Sequence, residues 1–262
     1  MRPVRKRIPV VVQGRRTRRP LVARALWTGA ELAVTLGAVL LLLVVHQLWW
    51  TNRQARDEAG AQVARLERQW ATRPTAPPRS PVPAPDPSPG DDGAGRAAPP
   101  TGTRTGTPAP PPNDLAYAIL RIPRIGLTAP IAQGVGKAAV LNKGYVGHYP
   151  GTAQPGGAGN AALAGHRNTH GEPFRRLDRL RPGDRVTIDT ADARYTYTVR
   201  RTLPQTTPGD GTVLAAVPRS SVHPAYGFAE PGSYLTLTTC TPQFTSTYRL
   251  VVWAVLRSTQ FR

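Results

Sequence analysis

One stretch constrains this chain before any other. Leu32–Trp50 reads LAVTLGAVLLLLVVHQLWW, 19 residues without a formal charge. That length crosses the hydrocarbon core of a bilayer as a helix. Extending it back over Leu26 takes in Glu31 at the interface, so the span is read as residues 26–50. Trp49 and Trp50 suit the aromatic belt at the far boundary. Residues 1–24 carry nine Arg or Lys and no acid, and this basic head (1–25) keeps the N-terminus in the cytoplasm by the positive-inside rule. Everything after residue 50 then lies outside the plasma membrane. A cleaved signal peptide is the alternative. The apolar region is longer than its h-region, and Leu48, Trp49 and Trp50 stand where small residues would be needed for cleavage. An uncleaved, single-pass anchor is the favoured reading.

Past the anchor, residues 51–72 continue as a juxtamembrane helix. Val63, Leu66 and Trp70 recur at helical spacing among charges of both signs. So brief a stripe reads as a solvated stalk. Residues 73–113 form a linker of Pro, Ala, Gly, Thr, Ser and Asp. The stretch 74–112 holds 14 prolines. Such a segment lacks the apolar surface to offset ordering entropy and is expected to be disordered. Extended at roughly 3 Å per residue, it reaches on the order of 100 Å, which would hold the tail away from the bilayer.

Residues 114–262 make one domain, mainly β. Alternating or short apolar runs predict strands over 116–122, 161–164, 185–190, 194–200, 234–240 and 248–256; 185–190 and 194–200 show clear period-two alternation and pair as a hairpin turning at Ala191-Asp192-Ala193. Only 173–180 and 212–217 look helical. A closed, antiparallel-rich barrel is expected, because closure removes exposed strand edges. The net charge of +19 is not a nucleic-acid signature: half of the excess sits on the basic head, and the tail has no basic stripe or known motif. Scattered histidines with one cysteine lack zinc-ligand spacing, and sparse acids argue against calcium. Neither metal nor cofactor is expected.

Cys240 is the only cysteine, so no internal disulfide exists. A lone cysteine is usually a small buried hydrophobe. This one ends a strand of β-branched residues beside Thr241-Pro242, where a side chain reaches the rim. His166 begins the polar loop after the 161–164 strand, and Arg249 starts the final strand nine residues beyond Cys240. The three types fit acyl transfer. A thiol needs to lose its proton to attack. An imidazole can take that proton or pair with the thiolate as imidazolium, and can later protonate a leaving amine. A guanidinium fork can hold a developing oxyanion.

Those residues carry a family resemblance. TLTTCTP (Thr236–Pro242) followed by YRLVVWA (Tyr248–Ala254) resembles the signature of sortases, most closely the class E branch of actinobacteria. GHYPGTAQPGGAGNAALAGHRNTHGEPF (Gly147–Phe174) resembles the His-bearing block of that branch, and IPRIGLTAPI (Ile122–Ile131) its opening strands. The resemblance implies an eight-stranded sortase β-barrel with short helices. It also implies a Cys-His-Arg site, carried over as Cys240, His166 and Arg249. The implied activity is cleavage of a Leu-Ala/Pro-X-Thr-Gly sorting signal between Thr and Gly through a thioacyl enzyme. The acyl group then passes to an amine on a peptidoglycan precursor. The implied partners are secreted proteins with that C-terminal signal, and the chain is read as a monomer.

Thr238, Thr239, His148 and Tyr117 are candidate substrate contacts. For the threonines strand formation is the plainer role; for His148 a structural place in a Gly-Pro loop; for Tyr117 core packing. His170 competes weakly with His166. Two other functions stay open on the residues alone. A wall-facing binding module would bury Cys240 inertly, and a cysteine hydrolase would deliver its acyl group to water.

Overall fold

The computed structural model describes residues 21–72 and 110–262. The expected linker falls almost wholly outside them, as does most of the basic head. A single helix, α1 (Leu21–Ala71), covers both the anchor and the juxtamembrane segment without a break. Two compact units divide within it, before Trp49. The first unit is the apolar part of α1, long and apolar enough to cross a membrane and with none of that stretch buried against protein.

The second unit is a closed barrel of eight strands: β1 (Ala116–Ile122), β2 (Leu127–Gln133), β3 (Val146–His148), β4 (Gly159–Ala164), β5 (Arg185–Thr190), β6 (Ala193–Thr206), β7 (Ser233–Thr241) and β8 (Tyr248–Phe261). Their order around the barrel is β1-β2-β3-β4-β7-β8-β6-β5. Two pairings are parallel, β2 with β3 and β4 with β7. The interior is filled by alternate residues, among them Leu120, Ile122, Leu163, Leu235, Leu237 and Val252. The hairpin turn at 191–193 is present, with Asp189 opposite Arg194. The two expected helices are shorter than the pattern suggested. Only Leu177–Arg179 and Gly211–Leu214 wind, both as 3-10 turns, because neither segment offers an apolar face long enough to repay a full helix.

The juxtamembrane segment is not a solvated stalk. Ala55, Ala59, Val63 and Leu66 are all buried. The last three pack with Trp70 against Ala116, Ile119 and Ala132 of β1 and β2 and against Val140 and Tyr145 of the β2–β3 connection. Burial of Val63 and Leu66 contributes about 1.5–3 kcal/mol each. Glu67 pairs with Arg121 at 2.5 Å, and the Arg262 guanidinium lies 5.3 Å from the Trp70 ring centre. This docking also explains β1: AYAILRI is buried on both faces, by the barrel core on one side and α1 on the other. Because residues 55–66 already touch the barrel, linker length does not set the distance between barrel and helix.

Candidate active site

Strand pairing assembles the site. In the antiparallel β7–β8 ladder Cys240 lies directly opposite Arg249. Such partners share a face with Cβ atoms about 4.5–5.5 Å apart. Cys240 is half-buried, whereas Tyr234–Thr239 before it are buried, so the thiol sits where the strand emerges.

On the other side of β7, parallel β4 ends its register at Ala164 opposite Thr238. The chain stays alongside for three more residues. The Gly165 N–H donates to the Thr238 carbonyl at 3.2 Å. The Thr239 hydroxyl donates to the Gly165 carbonyl at 2.8 Å. Arg167 Nη1 donates to the Cys240 carbonyl at 3.2 Å and to Thr241 Oγ1 at 2.9 Å. His166 stands between these anchored neighbours and so comes level with Cys240. A Cβ on Gly165 would lie 2.8 Å from the Phe174 ring, so a larger residue there would push the loop off β7. The thiol and the guanidinium thus stand on paired strands, and the imidazole on the loop that continues β4 alongside β7.

The electrostatics are specific. Burial, then His170 and Lys137 nearby, hold the His166 imidazole down to about 4. It is therefore neutral at physiological pH. Its Nε2 lies 2.9 Å from Asn142 Oδ1. With a carbonyl oxygen as partner, Nε2 carries the proton and Nδ1 the lone pair. The His170 ring stacks on it, with centres 5.3 Å apart and planes at 30°. No hydrogen bond joins imidazole and thiol among the described residues. Arg249 Nη1 donates to the Ser246 and Tyr248 carbonyls, both at 2.9 Å. Its Nε and Nη2 have no protein partner among the described residues, so part of the fork is available.

Three of the four residues expected to touch substrate have polar partners within the barrel, and the fourth, Tyr117, has none for its hydroxyl among the described residues. His148 is fully buried, with Nδ1 2.8 Å from Gln133 Oε1 and Nε2 2.9 Å from the Ala153 carbonyl. Thr239 is buried and holds Gly165. The Thr238 hydroxyl, also buried, lies 3.3 Å from the Tyr149 hydroxyl. Tyr117 occupies a bulge in β1, its ring edge-on to His148 and its buried hydroxyl without a partner among the described residues. Burial first, then Tyr197, raises its pKa.

Sequence reading missed Arg167 and Asn142. Arg167 is buried, and its Nη2 pairs with Asp178 at 3.1 Å. Its place beside His166 was the available hint. Asn142, 24 residues upstream, gave none. Among the described residues no cluster of three or more His, Cys, Asp or Glu side chains forms a metal-binding constellation.

Residues 120–257 match the family model of the sortase domain. The chain belongs to the sortase family. It is 40% identical over 228 residues to sortase SrtE1 of Streptomyces coelicolor, covering 85% of this chain and 54% of that one. It is 31% identical over 254 residues to sortase SrtE2 of the same organism, covering 94% and 88%. The chain thus spans about half the length of SrtE1 and most of SrtE2. Among solved structures, the S. coelicolor sortase E1 crystal structure with a tripeptide in the active site superposes with a TM-score of 0.54 at 45% identity, covering 57% of this chain and 92% of that one. The SrtF sortase of Corynebacterium diphtheriae gives 0.53 at 26% identity, covering 61% and 93%. These matches place the chain with the class E sortases.

Proposed function

We propose that this sortase is a membrane-anchored transpeptidase that attaches secreted proteins to the cell wall. It cleaves a Leu-Ala/Pro-X-Thr-Gly sorting signal between Thr and Gly. The observation that carries the reading is the register pair Cys240–Arg249, with His166 two residues past the end of β4, in the loop that the Gly165 and Arg167 hydrogen bonds hold against β7.

The residues divide the work as follows. The Cys240 thiol gives its proton to His166, whose neutral state suits a base rather than a standing imidazolium. The sulfur attacks the threonine carbonyl carbon. Arg249 donates to the oxygen as its charge grows, from the Nε and Nη2 atoms not spent on the loop. The tetrahedral adduct collapses, the C–N bond to glycine breaks, and His166-H⁺ protonates the leaving amine. A thioester remains on Cys240. An amine of a peptidoglycan precursor then attacks it, His166 takes that amine's proton, and the sulfur leaves and is reprotonated. The N-terminus lies in the cytoplasm and the barrel outside the plasma membrane, on the charge asymmetry around the apolar helix.

The experiment is incubation of the full chain, in detergent micelles, with a Leu-Ala-X-Thr-Gly peptide and an oligoglycine amine. Mass spectrometry is expected to find an acyl adduct on Cys240 and a ligated product, both absent in Cys240→Ala. No adduct with any sorting peptide would sink the proposal. Acyl adduct with hydrolysis alone would reassign the chain as a cysteine hydrolase.

A further inference from the structure

The docked end of α1 makes contacts that go beyond holding the barrel. Ala55 nests against two glycines from separate loops. A Cβ on Gly144 would lie 2.6 Å from the Ala55 carbonyl oxygen, and one on Gly171 would lie 3.5 Å from the Ala55 Cβ. One turn of helix also makes four hydrogen bonds to the loop that carries His166. The Gly171 N–H donates to Asn52 Oδ1 at 3.2 Å, and Asn52 Nδ2 donates to Glu172 Oε1 at 3.0 Å. Arg56 Nε donates to the Gly171 carbonyl and Arg56 Nη2 to Glu172 Oε2, both at 3.2 Å.

The loop needs such a hold. His170, Gly171 and Glu172 have φ values of 52°, 81° and 54°, three left-handed residues in a row. Two of them carry a Cβ, so the conformation persists only where surrounding contacts impose it. Glu172 is buried, and apart from Arg56 its charge is met by Arg175. Both routes from the helix end on the imidazole. Through Gly171 they reach His170, whose ring stacks on His166. Through Gly144 they reach the 3-10 turn Leu141–Lys143, whose Asn142 holds His166 Nε2.

We infer that Asn52 and Arg56 on the helix leaving the apolar span are positioning residues for His166, so that the barrel with this helix docked is the fully competent state of the enzyme. The inference rests on the proposed role of His166. Its consequence is that an excised barrel works with a loosened imidazole, and that undocking of the helix lowers turnover with little change in KM.

The test uses the full chain in micelles and the variants Asn52→Ala/Arg56→Ala, Arg56→Lys and Glu67→Gln. Glu67 pairs with Arg121 at the opposite end of the docked segment and controls for helix docking alone. In the double variant, deuterium uptake at 165–173 is expected to rise. Its kcat is expected to fall by about tenfold, and at most about a hundredfold, with KM near the wild-type value, as for a displaced catalytic group. Arg56→Lys keeps the charge on Glu172 without the fork to Gly171 and is expected to fall between. Glu67→Gln is expected to match wild type. A double variant with wild-type kcat despite a released loop overturns the inference, as does a loop whose exchange does not change. Exchange and the His166 imidazole resonance are read without substrate. An inactive wild type would therefore count against the proposed function while the released or unreleased loop still decides the clamp.

Discussion

Replacing Asp210 by asparagine tests how one buried carboxylate organises the long β6–β7 connection. Asp210 is 3% exposed and accepts five hydrogen bonds. Oδ1 receives the Thr212 hydroxyl at 2.8 Å, the Ser221 N–H at 3.0 Å and the Ser221 hydroxyl at 2.9 Å. Oδ2 receives the Thr206 hydroxyl at 2.7 Å and the Ser220 hydroxyl at 2.5 Å. An asparagine must keep its carbonyl at the Oδ1 place, because Ser221 offers an N–H that cannot reverse. Its amide then faces Thr206 and Ser220, whose hydroxyls can rotate to accept. Three bonds survive without charge and two reverse. All five lose the charge, and bonds to charged groups contribute about 1 kcal/mol more than neutral ones, so the loss is about 5 kcal/mol. For a domain of this size that lowers Tm by about 10–20 °C.

The charge also sets a pH signature for that variant. Burial alone would raise the Asp210 pKa. The Ser220 and Thr206 hydroxyls, the Ser221 amide and the Thr212 hydroxyl outweigh burial and hold it well below the carboxylate range. Its stabilisation is therefore complete above the unfolded value of about 4 and is lost as pH falls below it. Scanning calorimetry of both proteins at pH 7 and pH 3 reads the effect. The Tm gap should be large at pH 7 and shrink at pH 3. An equal gap at both values, or one of under about 3 °C at pH 7, would refute the charge-assisted account.

Two further outcomes follow from the site. His166 has a folded-state pKa depressed to about 4, so the unfolded chain binds more protons between pH 4 and 6.5. Stability should fall as pH drops from about 6.5 towards 4, and His166→Gln should flatten part of that slope in urea titrations across the window. Thr239→Val keeps side-chain shape but leaves the Gly165 carbonyl without its 2.8 Å donor. It should cost about 1–2 kcal/mol in urea unfolding and lower kcat for the sorting peptide, since Gly165 precedes His166. A variant equal to wild type in both would detach the threonine from the site.

Cys240 and Arg249 were legible together because nine residues separate them across one hairpin, and an antiparallel return brings such residues to the same end of the sheet. Tyr234–Cys240 and Tyr248–Leu256 are rich enough in β-branched, aromatic and apolar residues to announce both strands. β3 was harder, being three residues long and glycine-containing. His148 drew attention as a histidine in a loop, yet the barrel wall closes over it and spends both ring nitrogens. The type of a residue says what chemistry it can do, not whether neighbours have used it.

The sequence by itself determined the apolar span, six of the eight barrel strands and the three candidate side chains, because each depends on local pattern, charge or residue type. The tertiary structure alone decided where His166 stands and where the helix past the span goes. The parallel β4–β7 pairing joins residues over 70 positions apart. The Ala55–Leu66 stripe finds its partner only once β1 and β2 present an apolar outer face. Neither can be read from spacing, since both depend on which distant surfaces remain unpaired when the barrel closes.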